Sequence, residues 1–273
     1  MIKFCSLYSG SHGNCIFLGT DHTKILIDAG VNAKHIEQGL QAIGEDSKSI
    51  DAILITHEHA DHIQGAGVFA RRHHTSIYAN SATWDAMSSC IGPHFDHQHK
   101  IIPDKSGTSF QIGDIAIQSV PISHDAVHPV AYTFFVENRQ VSVVTDTGMI
   151  SQELRTYIHG SDAVLLESNH DSEMLAQGPY PWPLKQRIRG AKGHLSNEDA
   201  AQFALELAQD GTKVIFLGHL SQHNNTPELA LTATSEKLYA HGFGILNAPE
   251  LVSGPFVHVS VATQDKQGEV AIL

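Results

Sequence analysis

Seven consecutive residues constrain this chain more than any other stretch: Thr56-His57-Glu58-His59-Ala60-Asp61-His62, reached directly from the apolar run that starts at Ala52. Such a run reads as a short strand, so the imidazoles and carboxylates arrive at the end of a buried element. His57 and His59 are two apart, and both can point one way while the chain is still extended. Asp61 and His62 lie past the turn and can face a second ion. Imidazole with carboxylate suits Zn²⁺, Mn²⁺ or Fe²⁺, and the absence of nearby thiolates argues against a closed structural zinc site. A solvated polar turn is the plain alternative. Three histidines and an aspartate at these offsets, directly after a buried strand, argue against it.

Histidine is abundant throughout, with 20 residues against 17 Lys plus Arg, and it is the commonest metal-ligating side chain. A chain of 273 residues, 41% of them hydrophobic, can bury a sizeable core. No linker rich in Pro, Gly or Ser divides it and no repeat is visible, so one domain over residues 1–273 is expected. The formal net charge of −12 argues against a general polyanion binder with a broad basic surface, while leaving room for a local basic channel. Cys5, Cys15 and Cys90 form no CxxC pair and are too few for a disulfide framework; Cys5 and Cys15 read as small core residues. The N-terminal MIKFCSLYSGSHGNC lacks the unbroken apolar stretch of a signal peptide, and no segment approaches the ~20 apolar residues of a membrane span. The expectation is a soluble, cytoplasmic protein with no membrane partner and no organic cofactor.

Runs of β-branched and apolar residues predict strands at Lys3–Tyr8, Cys15–Gly19, Lys24–Asp28, Ala52–Thr56, Ser76–Ala79, Thr108–Ile112, Ile115–Pro121, Ala131–Val136, Val141–Thr145, Ala163–Leu166 and Lys213–Leu217. Helical spacing is expected over Val31–Ile43 (with Gly44 as its C-terminal cap), Ile63–His73, from Ser81, over Pro183–Ile188, Asn197–Gln209 and Pro227–Ala240. Strands in one run, then strands alternating with helices, suggest two packed sheets with helices outside.

The order of the metal-ligating types resembles the metallo-β-lactamase superfamily, whose signature is H-x-H-x-D-H. Later strand ends offer matches for that family's remaining ligands: His124 in Val120-Pro121-Ile122-Ser123-His124-Asp125, Asp146 in Thr145-Asp146-Thr147-Gly148, and His219 in Leu217-Gly218-His219-Leu220-Ser221. Lys24–Gly30, closing on Asp28-Ala29-Gly30, looks like the family's early strand. The resemblance covers roughly the whole chain. It implies an α/β (α+β) fold, an αββα four-layer sandwich of two mixed β-sheets flanked by helices, with two divalent metal ions, zinc or manganese or else iron. On it, His57, His59 and His124 hold one ion, Asp61, His62 and His219 the other, with Asp146 between them.

Two metals would be the main source of nucleophile activation. Coordination can lower the pKa of water from about 15.7 to about 7, on the order of 12 kcal/mol, against about 3–5 kcal/mol for a side-chain general base. A leaving group still needs a proton. Gly193-His194-Leu195-Ser196-Asn197-Glu198 sets a histidine just before a helix capped by Ser196 or Asn197, a setting similar to that of the proton donor in the phosphodiesterase branches, and Glu167 fits its carboxylate partner. The candidate catalytic residues are therefore Asp61, His194 and Glu167. A hydrogen-bonding role for His194 at the helix start and a solvated Glu167 are the structural alternatives.

Leu7-Tyr8-Ser9-Gly10-Ser11-His12-Gly13-Asn14, Ser123-His124-Asp125-Ala126, Leu165-Leu166-Glu167-Ser168-Asn169-His170-Asp171 and Gly218-His219-Leu220-Ser221 resemble the YycJ/WalJ-type branch, bacterial exonucleases acting 5′ to 3′ on DNA. The implied function is a binuclear phosphodiester hydrolase with a nucleic acid substrate, DNA first. A cyclic or small-molecule phosphodiesterase, or a ribonuclease, would use the same chemistry; thioester or lactam hydrolysis would need no His194. Flavodiiron proteins carry an acidic residue where this chain has His59, which argues against a redox module. His12 departs from the branch, where a small hydroxyl residue is expected.

Substrate contacts are expected from Ser9, Ser11 and His12 in the glycine-bearing loop, from Asn169 and His170, and from Lys185, Arg187 and Arg189. Gly10 and Gly13 free that loop to turn N–H groups toward an anion, or it is a turn without a ligand. Pro181–His194 carries Lys185, Arg187, Arg189 and Lys192 with no acidic residue, beside Tyr180 and Trp182, which could stack on a base; the alternative is a solvated basic helix face. His94, Asp96, His97 and His99 cluster in what reads as a loop, and His73 and His74 at a helix end suit its dipole. Both groups read as surface histidines.

Overall fold

In the central strands the apolar residues are buried, yet neighbours face opposite ways. Ile25 and Ile27 join one apolar cluster and Leu26 another; Ala52 and Leu54 part from Ile53 in the same manner. Strands apolar on both faces need a partner layer on each side. The computed structural model describes residues 1–92 and 99–273, and it supplies both layers.

The first half runs β1 (Lys3–Tyr8), β2 (Cys15–Gly19), β3 (Lys24–Ile27), α1 (Ala33–Ala42), β4 (Ala52–Leu54), α2 (Ala60–Ile63), α3 (Ala66–His73), β5 (Ser76–Ala79), α4 (Ser81–Ile91) and β6 (His99–Ile101). The middle is β7 (Ser109–Ile112), β8 (Ile115–Pro121), β9 (Val130–Val136) and β10 (Arg139–Val144). Then come α5 (Gln152–Ile158), β11 (Ala163–Glu167), α6 (Ser172–Gln177), α7 (Trp182–Arg189), α8 (Asn197–Gln209), β12 (Val214–Gly218) and α9 (Pro227–Ala240). β13 (Gly244–Leu246), β14 (Phe256–Val261) and β15 (Val270–Ile272) close the chain.

One sheet has the order β15-β1-β2-β3-β4-β5-β6 and the other β13-β14-β12-β11-β10-β9-β8-β7. Both are mixed: β3, β4, β5 and β6 run parallel, as do β10, β11, β12 and β14, while the remaining pairs except β13–β14 are antiparallel. Phe4, Ile25, Leu54, Tyr132, Phe134 and Phe216 fill the space between the sheets. α1, α3 and α4 cover the outer face of the first sheet; α5, α8 and α9 cover that of the second. The result is the expected four-layer αββα sandwich. Cys5 and Cys15 are buried core residues.

Local signals hold at the helix ends. Asn32 caps α1 by accepting from the His35 amide, and Gly44 lies past its end at φ 77°, a conformation that costs glycine little. Ser196 caps α8. The helix expected over Ile63–His73 is instead two, α2 and α3, parted at Gly65. A Cβ there would lie 2.0 Å from the Val31 carbonyl oxygen, and the Gly65 amide is bonded to the Ala29 carbonyl. The chain is thus docked on the 29–31 turn at the point where it must also present Asp61 and His62. β6, β13, β14, β15, α5 and α6 were not expected from the sequence. His73 pairs with Glu37 on α1, 2.9 Å away, and His99 packs its ring 3.7 Å from that of Trp84. His94, Asp96 and His97 lie outside the described residues. Among the described residues, no helix is long and apolar enough to cross a membrane.

One buried hydroxyl ties the two sheets together beside the histidine motif. Tyr132 of β9 donates to the Ile55 carbonyl at 2.8 Å, and the Val130 amide donates to the Thr56 carbonyl. Tyr132→Phe should cost about 1–3 kcal/mol in denaturant unfolding, the penalty for leaving that carbonyl without a partner.

Candidate metal centre

Strand direction gathers the site. The carboxyl ends of β3, β4, β10, β11 and β12 carry, respectively, Asp28, the His57–His62 motif, Asp146, Glu167 and His219. Parallel strands in each sheet deliver these ends to one edge, the usual place for a ligand in such sheets. Asp28, Asp146 and His219 all adopt left-handed backbone, with φ of 60°, 57° and 56°. Asp and His enter that region more readily than most residues, at a cost of order 1 kcal/mol or more. Each strand therefore turns sharply at the residue that carries the functional side chain.

Two groups of donor atoms result. His57 Nε2 and His124 Nε2 approach His59 Nδ1 at 3.1 and 3.4 Å. Asp61 Oδ2 lies 3.5 Å from His62 Nε2 and 3.6 Å from His219 Nε2. Asp146 stands between the groups: its Oδ2 is 3.2 Å from His62 Nε2, and its Oδ1 is 3.3 Å from His219 Nε2 and 3.8 Å from His124 Nε2. The structure thus brings together all seven residues expected from the sequence. Both groups are compact enough for single-ion coordination, their donor atoms lying within 4.8 Å of one another.

The far side of most of these rings is also held. His62 Nδ1 meets Asp28 Oδ2 at 2.7 Å, His219 Nδ1 meets Glu167 Oε1 at 2.9 Å, His57 Nδ1 meets Thr56 Oγ1 at 3.0 Å and His124 Nδ1 meets the Gly193 carbonyl at 3.3 Å. Fixing one nitrogen orients the other, which is how proteins prepare imidazoles for a metal. Asp28 also accepts from the Thr56 amide and hydroxyl, both at 2.9 Å. Asp28 was visible in the sequence only as the end of a strand. Its signal was a lone carboxylate closing the apolar Lys24-Ile25-Leu26-Ile27 run.

Electrostatics agree with a cation site. Burial alone would lower the His219 pKa, but Asp146, Asp61 and Glu167 outweigh it and lift the ring to about 10. The same contacts hold Asp61 and Asp146 far below the carboxylate range against the opposing effect of burial. His219 Nε2 and Asp146 Oδ2 are buried without a hydrogen-bond partner, a loss of about 1–3 kcal/mol each in a closed interior. A divalent cation held here would supply the missing partners. The donor set, nitrogen and carboxylate oxygen with no sulfur, fits divalent metal binding.

Beside these groups lies a cavity of about 290 Å³ that reaches His59, Asp61, His124, Asp146 and His219. His194 forms part of its wall, with its Nδ1 2.7 Å from Glu167 Oε1. Glu167 is fully buried, and its Oε2 accepts from the Thr147 and Leu195 amides at 2.8 and 3.2 Å. Burial raises its pKa, but the His194 charge and the bonds from His194 and His219 outweigh this and set it at about 2.

Of the residues expected to touch substrate, Ser11, Asn169 and Arg187 line the cavity. The other five do not. Ser9 is buried beneath the site, its hydroxyl accepting from the His219 amide at 2.8 Å. His170 is buried next to Ser196, and His12 lines neighbouring grooves instead. Lys185 and Arg189 donate to the Ala176 and Ser172 carbonyls, so they fasten α7 to the α6 segment. Arg187 Nε is paired with Asp125. The amides of Gly10 and Gly13 are also taken, by Asn14 Oδ1 and the Gly10 carbonyl, which removes them from an anion cradle. Tyr180, Leu184, Ile188, Gly193, Asp125 and Ser221 complete the wall. Of these, only Tyr180 stood out in the sequence, as an aromatic beside a basic stretch.

Asp28→Asn keeps the volume of the side chain but weakens its hold on His62. It should reduce divalent-metal affinity by roughly 10–100-fold, read by competition with a chromogenic chelator. An unchanged affinity would show that His62 is oriented without it.

A family model described as a β-lactamase superfamily domain matches residues 23–219. The chain is 42% identical over 250 residues to Exodeoxyribonuclease YycJ of Bacillus anthracis, covering 92% of this chain and 94% of that protein. It is 42% identical over 245 residues to Exodeoxyribonuclease WalJ of Streptococcus pneumoniae serotype 2 (strain D39 / NCTC 7466), covering 89% and 90%. Among solved structures, the metallo-β-lactamase fold protein YhfI from Bacillus subtilis is similar in fold, with a TM-score of 0.72 at 17% identity and 98% of each chain covered. Family model, near-full-length relatives and sandwich agree, and this chain belongs to the metallo-β-lactamase superfamily.

Proposed function

We propose that this protein is a metal-dependent exonuclease that hydrolyses phosphodiester bonds of DNA. The observation that carries this reading is the shared Glu167 carboxylate, whose Oε1 meets both His219 Nδ1 and His194 Nδ1. In this reading it couples the metal centre to His194, which would act as the proton donor. The two relatives named as exodeoxyribonucleases support DNA as the substrate.

His57, His59 and His124 would hold one ion and Asp61, His62 and His219 a second, with Asp146 reaching both; zinc and manganese suit these donors. When bound, two such ions supply Lewis-acid polarisation of the phosphoryl group and an attacking water acidic enough to work near neutral pH. The chain's own residues do the rest. Glu167 engages His194 at Nδ1, which leaves Nε2 as the nitrogen that hands a proton to the departing oxygen. An alkoxide leaving group needs that proton, and a histidine is suited to donate it. Ser11 and Asn169, in the cavity wall, would contact the substrate backbone. Arg187 can neutralise a phosphate only by loosening its pairing with Asp125.

The direct test is incubation with Mn²⁺ or Zn²⁺ and, separately, end-labelled DNA, single-stranded RNA and a chromogenic phosphodiester. Mononucleotide release from DNA alone is expected, and the labelled end lost first reads the polarity. Cleavage of the small diester alone would overturn the nuclease reading. His194→Ala should lower kcat by roughly 10²–10⁴-fold while elemental analysis still finds the same metal content. Undiminished turnover would remove His194 from the reaction.

A further inference from the structure

α7 is an apolar face without a core to cover. None of its residues is buried, yet Leu184 and Ile188 stand four apart and share one side of the helix. Tyr180, just before the start of the helix, lies in the same cavity wall. All three line the metal-side cavity, and none belongs to the apolar clusters that hold the sandwich together. The cavity therefore has two unlike walls. One is built of imidazoles and carboxylates at the strand ends; the other carries the aromatic and aliphatic side chains of Tyr180, Leu184 and Ile188, with the Arg187–Asp125 pair beside them. Tyr180 is steadied by an edge-on contact with the His223 ring, centroids 5.8 Å apart.

We propose that Tyr180, Leu184 and Ile188 form a subsite for the nucleobase of the nucleotide whose phosphodiester lies at the metal centre. This rests on the nuclease reading above and adds the identity of the group that α7 holds. A nucleotide has the same two-sided character as the cavity, a charged phosphate and a flat apolar ring. The volume of about 290 Å³ falls just short of the usual range for ligand pockets, about 300–1,000 Å³, and suits a single unit rather than a stretch of duplex. The base must leave its partner strand to enter. Contact with Tyr180, Leu184 and Ile188 engages the flat face that every base has, as aromatic platforms do.

The test uses the manganese-loaded protein and two oligodeoxynucleotides, identical except that one carries abasic tetrahydrofuran residues at both termini. For the first cleavage, KM should be roughly 5- to 100-fold higher for the abasic strand, the range expected from losing one base stack. Tyr180→Ala should remove most of that difference by raising KM for the ordinary strand only, with kcat little changed. The same contrast should appear without turnover, in calorimetric binding of thymidine monophosphate against deoxyribose 5-phosphate. If wild-type protein cuts both strands with equal KM, or if Tyr180→Ala raises both KM values alike, the subsite is wrong and the nuclease reading stands. If neither strand is cut while a small diester is, the nuclease reading falls and takes the subsite with it.

Discussion

A single carboxylate at the end of β11 holds the site in register. Glu167 receives the Thr147 amide from the end of β10, the Leu195 amide and His194 ring from the segment before α8, and the His219 ring from the end of β12. Three separate stretches of chain thus meet on one buried side chain. A buried carboxylate is costly unless its oxygens are bonded, so the cost of burying Glu167 is offset only when all three stretches are in place. Asp28 does the same for the other sheet, joining β3 to Thr56 and His62. These two groups orient His62, His194 and His219, while Thr56 and the Gly193 carbonyl hold His57 and His124.

The backbone serves the same end. Asp28, Asp146 and His219 each leave their strands through left-handed conformation, a mild strain that β-branched residues, preferred in the strands themselves, would accept poorly. Close packing leaves little slack around the turns: a Cβ on Gly30 would sit 1.6 Å from the Asp61 carbonyl oxygen. The turn after β3 and the start of α2 can lie this close only because residue 30 lacks a side chain.

Much of this was legible in the sequence, for identifiable reasons. The long central strands carry β-branched runs apolar on both faces, and the metal-ligating types recur at strand ends in an order too specific for chance. Short edge elements such as β6, β13 and β15 have three residues each; their strand character comes from pairing with a neighbour rather than from their own preferences. Long-range acceptors were equally hidden. A run containing Lys185, Arg187 and Arg189 shows charge but not that two of these cations end on backbone carbonyls and the third on Asp125. Ser9 looked like a loop residue open to substrate, whereas the loop folds back and puts its hydroxyl on the amide of residue 219.

The absence of buried residues in α7 bears on motion as well as recognition. Swinging this helix away would uncover no core, so it is held by polar ties to α6, to Asp125 and to the His194 amide, without the large desolvation that normally anchors a helix. Local openings draw on such weakly anchored pieces. The roof of the cavity thus rests on polar ties, while the strand ends beneath it rest on the core.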